Sequence, residues 1–204
     1  MARTPRKDAR RRDVVAAAER AVNQYGVAEV KLKDVAEAAG MSPTSLLYYY
    51  DDGLDAILAD VHRVAIERFL DLRERAVEIF DTPTEQLTAL LRLGVPTSDE
   101  DHLVRTLYET TAFLQRHRYH ALLAESFIER QIALFDRVLA VGAARADFTL
   151  TDSPRALGRT FVALEDGLVL HVIVEGSNFD RAAALAVQSA YASLVTGTTI
   201  DLSD

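Results

Sequence analysis

The 204-residue chain has no cysteine, which excludes a disulfide framework and a thiolate metal site. Glycine and proline are scarce, 9 and 5 residues, so a fold of many strands and turns is not expected. No apolar run reaches the roughly 18 residues of a membrane span, and the charged N-terminus lacks the apolar core of a secretory leader. No membrane partner and a cytoplasmic location are therefore expected. No nucleophile elbow, P-loop, GxGxxG or HExxH occurs, so neither enzymatic activity nor a cofactor is expected. His117 and His120 stand three apart near Glu125, but a metal needs a further ligand that the spacing does not supply.

What is present favours helix. Apolar residues make up 49% of the chain, and alanine and leucine are abundant. The net charge of −8 conceals an asymmetry: residues 1–50 carry nine basic against six acidic side chains, the remainder 14 against 25. A basic head on an acidic body suits a protein that touches nucleic acid with one end.

The stretch Leu32–Tyr50, LKDVAEAAGMSPTSLLYYY, reads as two short helices around a tight turn. Gly40 stands where a chain leaving a helix takes φ > 0. Met41 plugs the turn, and Ser42 caps a second helix with Pro43 at its first position. Val35, Ala39, Met41, Leu46 and Tyr49 are expected to point inward, and the small Ala36 permits a close helix crossing. Together these offsets make a helix-turn-helix signature, with an ordinary αα-corner as the alternative.

Before it, Arg3, Arg6, Lys7, Arg10, Arg11 and Arg12 form a basic arm expected to be disordered alone and to lie along phosphates. A solvated tail is the alternative. From about Arg10 to Tyr25 apolar residues recur at three- and four-residue steps, the face of a first helix. After Tyr50 one long helix runs to about Phe80, able to join a head of residues 1–52 to a body of residues 53–204. A capping box at Thr82–Glu85, acids after Ser98, Ser153-Pro154 and Asp180 open further helices, nine in all and no strand.

Residues Ala38-Ala39-Gly40-Met41-Ser42-Pro43-Thr44-Ser45-Leu46-Leu47-Tyr48-Tyr49-Tyr50-Asp51-Asp52-Gly53 resemble the DNA-binding head of TetR-family transcriptional regulators. That family's pattern is Ala-Gly, then Ser-x-x-(Ser/Thr)-Leu-Tyr-x-(His/Tyr)-Phe-x-x-Lys. The nine-helix layout is similar too. The resemblance implies an all-α, ligand-responsive repressor that acts as a homodimer on a palindromic, double-stranded operator. It implies that Ser42, Pro43, Thr44, Ser45 and Tyr48 face the major groove and that Tyr49 reaches a phosphate. Three positions depart from the pattern. Lys31 replaces the usual threonine at the start of the second helix. Leu47 replaces a tyrosine and can touch a thymine methyl, and Gly53 replaces a phosphate-gripping lysine. DNA binding is therefore expected to lean on Arg10, Arg11, Arg12, Lys31, Lys33 and the tyrosines. A helical small-molecule- or partner-binding protein whose head no longer holds DNA is the alternative.

In the body, Leu157, Phe161, Leu164, Leu168 and Val172 form one apolar seam. Ala183, Ala186, Val187, Ala190, Tyr191 and Leu194 form another. The resemblance implies that these two helices make the dimer interface, with Phe161, Leu164, Leu168, Val172, Ala186, Ala190 and Tyr191 in it. The alternative is that both seams pack on their own body. Phe69, Tyr108, Phe113, His117, Phe127 and Gln131 mix aromatic and polar groups as an effector site does, and equally as a helical core does. Glu165 interrupts an apolar helix. It would recognise a ligand or pair across the dimer axis, because a buried carboxylate without a partner is costly.

Overall fold

The computed structural model describes residues 5–97, 103–104, 106–108, 118–174 and 177–203. Among these residues there is no strand, and eight helices have both ends defined: α1 Pro5–Tyr25, α2 Leu32–Ala38, α3 Pro43–Tyr49, α4 Leu54–Ile79, α5 Pro83–Leu93, α6 Arg118–Ala144, α7 Pro154–Ile173 and α8 Arg181–Thr196. The fold is all-α, as expected. The helix expected between Ser98 and His117 falls mostly outside the described residues, although 103–104 and 106–108 are helical. No helix among the described residues is long and apolar enough to cross a membrane.

Local chemistry sets the helix ends. Ser42 accepts the Ser45 N–H at 3.1 Å, with Pro43 behind it where a missing N–H costs nothing. Thr82 and Glu85 satisfy each other's backbone N–H groups at 3.2 Å in both directions. Asp180 accepts the Ala183 N–H at 2.8 Å, and Gly197 ends α8 in the left-handed region. The basic arm differs from expectation: it is helical from Pro5, as the opening turns of α1. Arg10, Arg11 and Arg12 therefore stand at fixed angular positions on a helix, while Arg3 lies outside the described residues.

The chain divides into two compact units, Met1–Glu67 with Thr106–Leu123 and Arg68–Arg105 with Ala124–Asp204. The core of the first is built from Val14, Ala18, Val22, Val35, Leu46 and Tyr50. Ile57, Leu58 and Val61 of α4, all at 0% exposure, close it. That burial is why the first unit continues past residue 52, where a boundary was expected. Tyr50, not Tyr49, is the fully buried tyrosine of α3's end, and Ala39, Met41 and Tyr49 are half-buried.

The core of the second unit includes Leu87, Leu90, Leu91, Ile132, Phe135 and Phe161. Phe135 and Phe161 stack with centroids 5.2 Å apart, and Tyr191 of α8 meets Phe161 edge-on at the same distance. After α8 the chain folds back, burying Ile200 and Leu202.

Candidate nucleic-acid interface and body sites

Helix α3 is only seven residues long, so packing rather than propensity holds it. Leu46 is its anchor at 0% exposure. Ser42, Pro43, Thr44, Ser45, Leu47 and Tyr48 are all exposed, Tyr48 at 71%, and make its outward row. The Ser42 and Ser45 hydroxyls lie 2.8 Å apart in a hydrogen bond. Tyr49 packs edge-on against Tyr48, and the Lys7 ammonium stands 5.5 Å from the Tyr48 ring centroid. Lys7, one turn before Arg11 on α1, was expected along phosphates with the rest of the arm, and its place beside Tyr48 was not foreseen. The i, i+4 step between the two becomes a shared face only once the arm is helical.

The row carries hydroxyls, a leucine and a tyrosine but no Arg, Lys, Asn or Gln. The chemistry these side chains carry limits any direct readout there to hydroxyl hydrogen bonds and apolar contacts. Lys31 and Lys33 are exposed at the start of α2, where the Asp34 carboxylate accepts the Lys31 backbone N–H at 2.9 Å. Gly53 has φ +67, so the turn before α4 takes a conformation that a lysine there would resist. The departure from the family pattern thus has a backbone reason.

The three arginines expected on phosphates separate. Arg10 and Arg12 are exposed, Arg10 beside Asp13 at 3.6 Å. Arg11 is turned inward: its Nη2 donates to Asp60 Oδ2 at 2.9 Å and its Nη1 to the Tyr49 carbonyl at 3.3 Å. Its guanidinium also lies 4.1 Å from the Tyr50 ring centroid. Tyr50 donates its hydroxyl to the same Asp60 oxygen at 2.9 Å. Two of the five Arg11 N–H donors are thus engaged within the head, unlike those of its exposed neighbours Arg10 and Arg12. Burial raises the Tyr50 hydroxyl above its ordinary pKa, with the Asp60 charge adding to that. Burial alone would raise Asp60 as well. Hydrogen bonds from Arg11 and Tyr50, then the charges of Arg11 and Arg63, outweigh it and hold the carboxyl below its usual range.

In the body, Phe69, Gln131 and Glu165 come together, but around a residue not singled out from the sequence. Arg73, at 0% exposure, donates to both Glu165 oxygens at 2.9 and 2.7 Å, to Gln131 Oε1 at 2.5 Å and to the Leu90 carbonyl at 3.0 Å. Its guanidinium lies 5.0 Å from the Phe69 ring centroid and 5.1 Å from that of Phe135. Phe127 meets Phe69 edge-on at 5.7 Å. Glu165 therefore has a charged partner, Arg73, within its own chain. Full burial raises its carboxyl above the usual range, against the charge and hydrogen bonds of Arg73. Tyr108 is half-buried, while Phe113 and His117 lie outside the described residues. A separate groove of about 630 Å³ runs between other faces of α4 and α5, lined by Leu72, Ala76, Ile79, Phe80, Ala89 and Leu93 among others. None of the expected effector residues lines it.

The two helices proposed for dimerisation pack on each other, but the seam on α7 divides. Phe161 and Leu168, at 1% and 7% exposure, are sealed in the core of their own body and present little to a partner. Leu164, Val172 and Tyr191 are half-buried. The apolar surface facing outward is instead Ala156, Ala163, Gly167 and Leu170 on α7, with Val174 just beyond its end. On α8, Ala186 and Ala190 are exposed as expected of an interface, with Val187 and Leu194 beside them. Helix α7 carries apolar residues on more than one face, so periodicity alone does not say which face is inward.

A capped helix with an outward polar and aromatic row, packed behind a glycine turn in an all-α chain, defines a helix-turn-helix DNA-binding regulator. Residues 14–57 match the family model described as bacterial regulatory proteins, tetR family. The HTH-type transcriptional regulator BetI of Brucella canis is 28% identical over 188 residues, covering 91% of this chain and 90% of that protein. A Haloarcula marismortui TetR regulator superposes with TM-score 0.81 at 20% identity, over 93% of this chain and 99% of that one. A Saccharomonospora viridis regulator solved in complex with choline gives the same TM-score at 16% identity, over 91% and 97%. The chain is a DNA-binding transcriptional regulator whose head, over residues 14–57, is of the tetR-family type.

Proposed function

We propose that the chain is a ligand-responsive repressor, working in the cytoplasm as a homodimer on a palindromic operator. The observation that carries this reading is the outward row of α3, exposed from Ser42 to Ser45 and again at Leu47 and Tyr48. A seven-residue helix reaches few base pairs, so two heads related by a two-fold axis are needed for useful specificity. The exposed apolar stripes of α7 and α8 supply a self-complementary face for that pairing. Effector binding in the body would favour a conformer whose heads no longer match successive half-sites, and would weaken DNA binding by its differential affinity.

The effector in this proposal engages the Arg73 cluster through a hydrogen-bond acceptor. Phe69, Phe135 and Glu165 are the groups an organic cation would need, and the chain's own guanidinium already stands among them. Arg73 Nε is a buried donor with no hydrogen-bond partner, which an acceptor on the effector would complete. A choline-like cation is therefore not the effector proposed, although the Saccharomonospora viridis protein holds choline.

A second reading, a partner-binding protein whose head has lost DNA, is favoured by Leu47 and Gly53 at positions where the family pattern has tyrosine and lysine. Sequencing DNA captured by the full-length protein from a random duplex library separates the two. An enriched palindrome supports the regulator, and no enrichment supports the second reading. Titrating the captured DNA complex with choline and with acceptor-bearing neutral or anionic metabolites then tests the effector. Release by choline would sink the acceptor proposal.

A further inference from the structure

Arg11 and Asp60 lie 49 residues apart, yet Asp60 is where three elements of the head are tied together. From α1, Arg11 reaches it at 2.9 Å, and from the end of α3, Tyr50 reaches the same oxygen at 2.9 Å. From α4 itself, Arg63 approaches the other oxygen at 3.4 Å. Arg11 also donates to the Tyr49 carbonyl, one of the acceptors that the last turn of a helix leaves unpaired. The side chains of Arg11 and Asp60 are each 20% exposed. The other fixed point of α3 is Leu46, so a helix of seven residues is held at its middle by one leucine and at its end by this cluster.

Resting on the reading of the head as DNA-binding, we propose that Arg11 and Asp60 are positioning residues for DNA recognition. They fix the rotation and tilt of α3, so that the row from Ser42 to Tyr48 meets the groove as one rigid surface. Neither contacts DNA. Bonded at Asp60 and at the Tyr49 carbonyl, the Arg11 guanidinium has its ion-pair partner inside the head, and its side chain is only 20% exposed. Without the cluster, Tyr48 and its neighbours would sample several orientations, and binding would be reduced by the fraction in the competent one.

The experiment uses full-length protein and the DNA sequence it enriches, comparing wild type with Arg11→Gln, Asp60→Asn, Tyr50→Phe and Arg12→Gln. Asp60→Asn is decisive because the two accounts differ in sign. Removing an acid from a DNA-binding head strengthens binding if only the electrostatic field matters, whereas loss of a positioning group weakens it. The expected result is a loss of roughly tenfold or more for Arg11→Gln and Asp60→Asn, the scale of a charged hydrogen bond. The double variant should be little worse than either alone. Tyr50→Phe, which keeps every charge and most of the packing, should show a smaller loss in the same direction with its melting temperature nearly unchanged. The salt dependence supplies a readout that general destabilisation would not move. Loss of one phosphate contact lowers the slope of log affinity against log salt by about 0.9. Arg12→Gln should show that decrease and Arg11→Gln should not. A lowered slope for Arg11→Gln, or unchanged or tighter binding by Asp60→Asn, would overturn the proposal. If wild type enriches no sequence, the DNA reading fails and this inference falls with it.

Discussion

Arg73 and Glu165 meet in a two-pronged ion pair inside the body, Nη1 to Oε1 at 2.9 Å and Nη2 to Oε2 at 2.7 Å, with both side chains 2% exposed or less. Four helices converge on it: α4 brings the guanidinium, α7 the carboxylate, α6 the Gln131 amide oxygen and α5 the Leu90 carbonyl. Gly94, just past α5, makes room for the pair, since a Cβ there would lie 2.1 Å from Glu165 Cδ. Taking two charges out of water costs about as much as their attraction returns, so such a pair serves register and uniqueness more than net stability.

That balance is measurable. Arg73→Met leaves the Glu165 carboxylate buried and uncompensated and is expected to destabilise the body by about 3–5 kcal/mol in urea unfolding. Arg73→Met combined with Glu165→Leu removes both charges and should recover most of that loss. Gly94→Ala should lower stability too, because the carboxylate must move out of the geometry that Arg73 requires. A double variant as unstable as Arg73→Met alone would mean that packing volume, and not charge, governs the site.

Acid should find the weak point of the head at Asp60. Its folded-state pKa is lowered, so the unfolded chain binds that proton more readily than the folded one. The stability contributed is complete above the unfolded value of about 3.8 and is lost as pH falls through the lower folded-state value. Comparing wild type with Asp60→Asn cancels the other carboxylates. The stability gap between the two proteins should be constant at neutral pH and shrink below pH 3.8, as Arg11, Tyr50 and Arg63 lose their anionic partner. A gap independent of pH through the acid range would show that the carboxylate charge is not what the cluster uses.

Gly53 carries its constraint in the backbone. A Cβ there would meet only Leu47 Cδ2, at an ordinary 3.8 Å, so space is no obstacle, but φ is +67. Gly53→Ala is expected to lose roughly 1 kcal/mol from left-handed strain, and Gly53→Lys a similar amount despite restoring the basic residue of the family pattern. Gly53→Asn should lose less, since asparagine tolerates this region. Equal denaturation midpoints for Gly53→Ala and wild type would remove the backbone explanation.

The helices, their caps and the turn at Gly40 were legible because their signals are local. Ser42 with Ser45, Thr82 with Glu85 and Asp180 with Ala183 are each three residues apart. The outward row of α3 was legible for the same reason, since α-helical spacing fixes which of its side chains share a face. What escaped is long-range. Arg73 pairs with a residue 92 positions away, and its neighbours Glu74 and Arg75 make it look like part of a solvated charged face. Arg11 sits in a run of three arginines, and nothing in the run marks the one that turns inward to a carboxylate on α4. Helix α7 presents apolar residues on two faces, and only the packing of Phe161 against Phe135 and Tyr191 says which is core.

Those two faces of α7 make opposite predictions about substitution. Leu194 on α8 is 72% exposed in the isolated chain, so Leu194→Arg costs a single protomer little. Across a two-fold interface the same change brings two guanidinium groups into an apolar seam, where unpaired charge is strongly disfavoured. Light scattering is expected to give a 22.5 kDa species for Leu194→Arg, with a folded circular dichroism spectrum, against twice that mass for wild type. Gly167→Arg on the exposed face of α7 should behave alike. Phe161→Ala should not dissociate the dimer selectively but should destabilise the body by about 3–5 kcal/mol, as cavity formation in a core does. Operator affinity then follows mass action. Monomeric Leu194→Arg retains the whole head yet loses the second half-site, so its affinity for a single half-site should match wild type while its affinity for the palindrome collapses. If Leu194→Arg stays dimeric with full affinity, the dimer face lies elsewhere on the body.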